Sequence, residues 1–176
     1  MFKALRLSAI CLTAVCLSAF AAVASAQEAP AAAGNIEVET TQYEDWEVNC
    51  PKNDSTNPCE MTQLVEDPET GNPIMRVVVG YPPQIDSAAM IVLLPLGVPL
   101  QPGIQFSVDG GQAQHYPFQV CLEQGCRANF PLDNAVLNRL KNGQSAEVTI
   151  VSPQGNQMQL QISLMGFTAA NKAIAP

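Results

Sequence analysis

From Trp46 to Leu164, apolar and polar residues alternate mostly with period two, the pattern of strands that keep one face in a core. Trp46, Val48 and Cys50 alternate with Glu47 and Asn49. Met61, Gln63 and Val65 make a second row, and Met75, Val77, Val79 and Tyr81 a third. Between these two, residues 66–73 are dense in turn formers and predict a hairpin loop. Residues 88–94 are continuously apolar and predict a central strand buried on both faces. Ile104, Phe106 and Val108 alternate again, ahead of an Asp109-Gly110-Gly111 turn. Residues 118–121 and 126–130 read as the arms of one hairpin. Ala146, Val148 and Ile150 pair with Met158, Leu160, Ile162 and Leu164 around a Ser-Pro-Gln-Gly turn.

One helix interrupts the strands. Leu132, Val136, Leu137 and Leu140 share a helical face, Asp133 or Asn134 can cap it, and Asn142-Gly143 ends it. The expected fold is all-β: a mostly antiparallel β-sandwich or barrel-like domain with one short helix at about residues 132–141.

The N-terminus follows a different rule. Lys3 and Arg6 precede an uncharged stretch, residues 7–23, and then Ala24-Ser25-Ala26. This order predicts a secretory signal peptide over residues 1–26. A membrane anchor is the alternative, disfavoured by the many Ser, Thr and Ala residues and by the cleavage motif. Residues 27–42, with their Ala-Pro-Ala-Ala-Ala-Gly segment, are expected to be a flexible linker, and residues 43–176 a single domain. No later apolar run is long enough to cross a bilayer.

Charge narrows the partners. The chain has 16 acidic and 8 basic residues. Lys3 and Arg6 lie in the predicted signal, so the exported part sets six positive charges against 16 negative ones, a net −10. Such a surface repels phosphate backbones and anionic lipid heads, so nucleic acid is not an expected partner.

Of the six cysteines, Cys11 and Cys16 fall within the predicted signal. Cys50, Cys59, Cys121 and Cys126 remain, spaced C-x8-C and C-x4-C. An even number behind an export signal favours two local disulfides. Other pairings and a four-thiolate zinc site stay open, although the spacings suit zinc poorly at one end. No redox C-x-x-C is present.

Catalytic chemistry finds little support. His115 is the single histidine, and no G-x-S-x-G nucleophile elbow accompanies it. Carboxylate neighbours such as Glu44 with Asp45 and Glu66 with Asp67 fit solubility and turns better than an acid–base pair. EF-hand, P-loop and dinucleotide motifs are missing, so no cofactor is expected. Asn53-Asp54-Ser55 is a formal glycosylation sequon, relevant only to a eukaryotic secretion route. The best interaction candidate is the row Leu94, Leu96, Val98 and Leu100, set between Pro95, Gly97 and Pro99 in a part that the prolines restrict to a sheet edge or a loop, and read as an interaction edge. The competing role for the same row is closure of one end of the core.

Three segments stand together in a familiar order: Ile91-Val92-Leu93-Leu94-Pro95-Leu96-Gly97-Val98, then Pro117-Phe118-Gln119-Val120-Cys121-Leu122-Glu123-Gln124-Gly125-Cys126, then Gly166-Phe167-Thr168-Ala169-Ala170. With Asp45-Trp46-Glu47-Val48-Asn49-Cys50 and Phe130-Pro131-Leu132-Asp133, the chain resembles the invasion-associated locus B family over about residues 43–170. The resemblance implies an exported, β-rich protein of the Gram-negative periplasm, envelope or exterior, linked in some pathogens to host-cell entry. It implies no cofactor and no catalytic residue.

The expected function is a non-enzymatic exported domain that binds a protein or envelope component. A periplasmic carrier or chaperone for a small apolar ligand is the alternative, and it requires a closed barrel with a cavity. A hydrolase built on His115 ranks third and requires a serine and a carboxylate within hydrogen-bond reach.

Overall fold

The structure is a computed structural model and describes residues 37–53, 58–67 and 70–176. The predicted signal peptide and most of the predicted linker lie outside the described residues. Eleven strands are present: β1 (Val38–Tyr43), β2 (Trp46–Pro51), β3 (Glu60–Glu66), β4 (Pro73–Gly80), β5 (Ala88–Leu94), β6 (Ile104–Val108), β7 (Gln114–Tyr116), β8 (Val120–Leu122), β9 (Gly125–Leu132), β10 (Ser145–Val151) and β11 (Gln157–Ser163). Helix α1 (Asn134–Asn142) separates β9 from β10, and α2 (Phe167–Ile174) follows β11.

All pairings are antiparallel and form two sheets. One has seven strands in the order β1-β2-β3-β4-β5-β9-β8, and the other has four in the order β11-β10-β6-β7. The architecture is an open sandwich rather than a closed barrel. Alternate residues of β2 to β6 and of β9 to β11 fill the space between the sheets. Met61, Val77, Met90, Val92 and Ala128 come from the larger sheet, and Ile104, Phe106, Val148 and Ile162 from the smaller one. Phe130 joins them, stacked on Tyr116 at 3.8 Å and tilted against Phe106 at 5.4 Å.

Four expectations are corrected. Strand β1 begins at Val38, inside the stretch expected to be linker. It is polar, exposed along nearly its whole length, and held by its ladder to β2 rather than by burial. A second helix, α2, is present where one helix was expected. Phe167, Ala170 and Ile174 give it a buried face, but Asn171 shares that face and no side chain caps the start. Strand β5 is central yet not covered on both sides: Ala89, Ile91 and Leu93 are only half-buried. Finally, β5 is paired on both flanks, so residues 95–103 are a loop and not a sheet edge.

Two glycines permit close approaches. Gly166 has φ 82° and Gly125 φ 132°, conformations that L side chains rarely adopt. A Cβ on Gly166 would overlap the Tyr43 carbonyl, and one on Gly125 would overlap the Leu94 carbonyl. The first glycine lets the start of α2 reach the β1–β2 turn. The second lets the β8–β9 hairpin tip close on β5.

Asp109 ties the sheet to the helix exit. Its Oδ1 accepts from the backbone N–H groups of Gln144 and Ser145, each at 3.0 Å. These bonds, Ser145 first and then Gln144, hold its carboxyl below the ordinary aspartate value. Because the folded pKa is depressed, the contribution to stability is present above the unfolded value of about 3.9 and is lost as pH falls through the folded one. Asp109→Asn should therefore remove part of the acid limb of the stability profile. Acid titrations of both proteins followed by circular dichroism will check this, and coincident profiles would refute it.

Candidate functional site

Two local disulfides are present, Cys50–Cys59 and Cys121–Cys126. The first joins the end of β2 to the approach to β3, and the second clamps the β8–β9 hairpin. Both are staples, and neither leaves a free thiol.

His115 stands exposed on β7, opposite Gln105. Its Nε2 lies 2.6 Å from the Pro102 carbonyl oxygen. Among the described residues no serine or carboxylate hydrogen-bonds to it, so the geometry holds no triad. Nor do three His, Cys, Asp or Glu side chains converge as a metal site among the described residues.

The row expected to form one interaction edge is divided. Leu94 is buried in the core and Val98 packs against it, whereas Leu96 and Leu100 are 58% and 52% exposed. No single apolar face joins the four, because only Leu94 belongs to a strand.

The structure reveals a different surface, the outer face of the seven-stranded sheet. The residues between the core positions of its strands all point there. The register aligns Leu64, Arg76, Leu93, Arg127 and Val120 in one row across β3, β4, β5, β9 and β8. A neighbouring row runs Gln42, Glu47, Thr62, Val78, Ile91 and Asn129. Leu64 and Leu122 are 49% and 60% exposed. Val78, Ile91, Leu93 and Val120 are half-buried by their neighbours. A cleft of about 420 Å³ opens at the upper end, lined by Leu64, Ile74, Arg76, Leu93, Pro95 and Gln124 among others.

Charge on this face is segregated. Glu47, Glu60 and Glu66 stand exposed on β2 and β3, while Arg76 and Arg127 stand exposed on β4 and β9. The ion pair among the described residues is Lys52 with Glu37, so neither arginine forms an ion pair with another described residue. Each guanidinium therefore has its full donor set available for an outside carboxylate.

A second, more polar groove lies where β3 meets β11. Its volume is about 700 Å³, and Gln42, Glu44, Asp45, Gln63, Gln161 and Ser163 are among its lining residues. Its buried member is already committed. Gln63 accepts from Ser163 N at 2.8 Å and donates toward Asp45 O and Ser163 O. This pairing stitches β3 to the end of β11 and leaves no buried side-chain polar group of the groove waiting for a ligand.

The fold and these features define a disulfide-stapled, two-sheet β-domain with one sheet face uncovered by the core elements. The chain belongs to the Invasion associated locus B (IalB) protein family, whose model matches residues 46–175. Its fold is similar to that in the crystal structure of invasion associated protein B from Bartonella henselae, with a TM-score of 0.66. That likeness covers 77% of this chain and 95% of the other at 19% identity, and it concerns the fold. No curated protein matches the chain. Among the described residues no helix is long and apolar enough to cross a membrane.

Proposed function

We propose that the protein is an exported, non-enzymatic binding domain whose outer sheet face docks a protein or envelope component. Export is supported by the two disulfides, by family membership and by the signal-like N-terminus. The observation that carries the binding role is the face itself: half-exposed aliphatic residues interleaved with Arg76 and Arg127, neither in an ion pair among the described residues. Arginines on an apolar ground are the composition of protein interfaces. The term invasion associated describes the Bartonella protein, and a host-cell partner is one form this reading takes.

The open sandwich weighs against the carrier alternative, since the grooves described are lined by surface residues and open to solvent. His115, bonded to a backbone carbonyl, weighs against a hydrolase.

The test is chemical crosslinking in intact cells, comparing the wild type with Arg76→Glu/Arg127→Glu. A partner recovered with the wild type should be lost, or reduced at least about tenfold, in the variant, as expected when charge is reversed at an interface centre. Equal recovery of every partner would remove this face from the proposal.

A further inference from the structure

We propose that the free edge of β11 takes an extended, cationic segment of another protein as an added antiparallel strand. This edge is a second site, and the inference goes beyond the docking role given to the outer face.

The two sheets expose four edges, β1 and β8 of one and β11 and β7 of the other. Open edges are commonly blunted by shortness, proline or charge. Strands β7 and β8 have three residues each, and Pro117 follows β7. Strand β1 carries Glu39, with Glu37 just before it. Strand β11 has none of these defences. Its seven residues, Gln-Met-Gln-Leu-Gln-Ile-Ser, include no charge, proline or glycine, and their register with β10 is unbroken.

The ladder shows which backbone groups of β11 are free. Ser163 N–H donates to Gln63 Oε1 at 2.8 Å, and its carbonyl accepts from Trp46 Nε1 at 2.9 Å, so both groups point away from β10. In an antiparallel ladder that direction recurs at every second residue. The N–H and C=O groups of Gln161, Gln159 and Gln157 therefore point outward too, and no other described residue hydrogen-bonds to them. The sheets are stitched at Ser163, and the groove of about 700 Å³ opens beside it, with Gln161 on one lip and Val65 and Glu66 on the other. A strand laid in this seam pairs with all three glutamines, the geometry of β-augmentation.

Side chains around the seam select the occupant. On the inward side of β11, Leu160 and Ile162 are buried and Met158, at the rim, is 40% exposed. Val65 on the facing lip is only partly buried. The inward residues of an added strand cover Met158 and Val65, so they are apolar. Charge fixes the rest. Glu44, Asp45 and Glu66 line the groove, and no Lys or Arg is among its lining residues. The four strands of the smaller sheet contain no Lys or Arg, and Glu147 lies opposite Gln161 in the ladder. An antiparallel strand enters with its N-terminal end beside Ser163, so that end carries the Lys or Arg that the acidic lips complement. A second copy of β11 fits poorly, because residues 152–163 bring no cation to those lips.

The test follows amide resonances and amide exchange in the isotope-labelled, oxidised, exported protein. The probe is the peptide acetyl-Lys-Thr-Val-Thr-Val-Thr-amide at about 1 mM, suited to the weak affinity of one short strand. It should slow exchange at Gln157, Gln159 and Gln161 and shift their resonances. Gln159→Pro removes an N–H that points to solvent, so it keeps the β10–β11 ladder while blocking the edge, and binding should fall by about tenfold or more. Glu44→Lys/Glu66→Lys should weaken binding by about threefold or more, as should a peptide with Glu in place of Lys. Arg76→Glu/Arg127→Glu should bind the peptide within about twofold of the wild type, since salt confines the arginines' field to the outer face. Melting curves will confirm folding, and Gln161→Pro replaces Gln159→Pro if the latter is unfolded.

Unchanged exchange at the three glutamines would overturn the inference. So would binding that survives the proline, or equal binding of the Lys and Glu peptides. Protection of the same amides that rises with protein concentration alone would assign the edge to a second copy and overturn it as well. Loss of the peptide in Arg76→Glu/Arg127→Glu would move the peptide to the outer face, sinking this inference while supporting the docking surface.

Discussion

Trp46→Ala is expected to lower the stability of the domain by about 3–5 kcal/mol, the cost of emptying a fully buried aromatic site. Trp46 is wholly inaccessible to solvent. Its ring meets Phe167 edge-on at 5.2 Å, and its Nε1 donates to the Ser163 carbonyl at 2.9 Å. One side chain thus joins β2 of the larger sheet, the end of β11 in the smaller sheet and the first residue of α2. Truncation opens a cavity at the point where these three meet. Ser163 O keeps a donor from Gln63, so the loss is chiefly of packing. Domains of this size have about 5–15 kcal/mol in total, and the variant should therefore be near the edge of folding. Urea denaturation measures the difference. Trp46→Phe serves as a control, since it retains a ring and should lose about half as much. A Trp46→Ala penalty below about 1 kcal/mol would contradict this account of the junction.

Removing both disulfides should cost about as much again by another route. The loop-entropy account assigns roughly 2–3 kcal/mol to each closure of these lengths, about 4–6 kcal/mol together. For a domain of this size the corresponding fall in Tm is about 10–20 °C. The described residues of the polar loop enclosed by Cys50 and Cys59 supply no core residue, so the bond substitutes for packing there. Cys121–Cys126 holds the short edge strand β8, whose Val120 and Leu122 belong to the outer face. Alanine pairs at each site, melted beside the wild type with and without reductant, separate the contributions. A shift of only one or two degrees on full reduction would mean that the hairpins hold themselves.

Much of the fold was legible because burial and period coincide. Rows such as Met75, Val77 and Val79, or Ala146, Val148 and Ile150, are apolar on alternate positions and are core in the structure. Asp133 capped α1 as its position suggested, accepting from Val136 N at 2.7 Å. The misses share a cause. Strand β1 has almost no buried side to leave a period, though Val, Thr and Tyr around a two-residue Glu44-Asp45 turn were a usable sign. Helix α2 hides its spacing behind alanines and a buried Asn171, whose amide donates to Tyr81 Oη at 3.0 Å, a partner 90 residues away. The Leu94–Leu100 row looked like one surface because alternation was extended past the point where the strand ends.

The outer face was the least legible part. Arg76 and Arg127 are 51 positions apart in sequence, and neither stands near the other in any motif. Only the register of β4, β5 and β9 puts them two strands apart in one row.

The amino-acid sequence by itself determined the strand-rich class, the cysteine spacing, the acidic balance and the family resemblance. Each of these is local, carried by period, spacing or composition over a few residues. The tertiary structure decided which faces are covered and which distant side chains share them. It kept Leu94 in the core, left Leu96 outside, and brought the two arginines onto an open sheet among aliphatic neighbours. Strand order and register make that difference, because they arise from long-range pairing that no short window of sequence encodes.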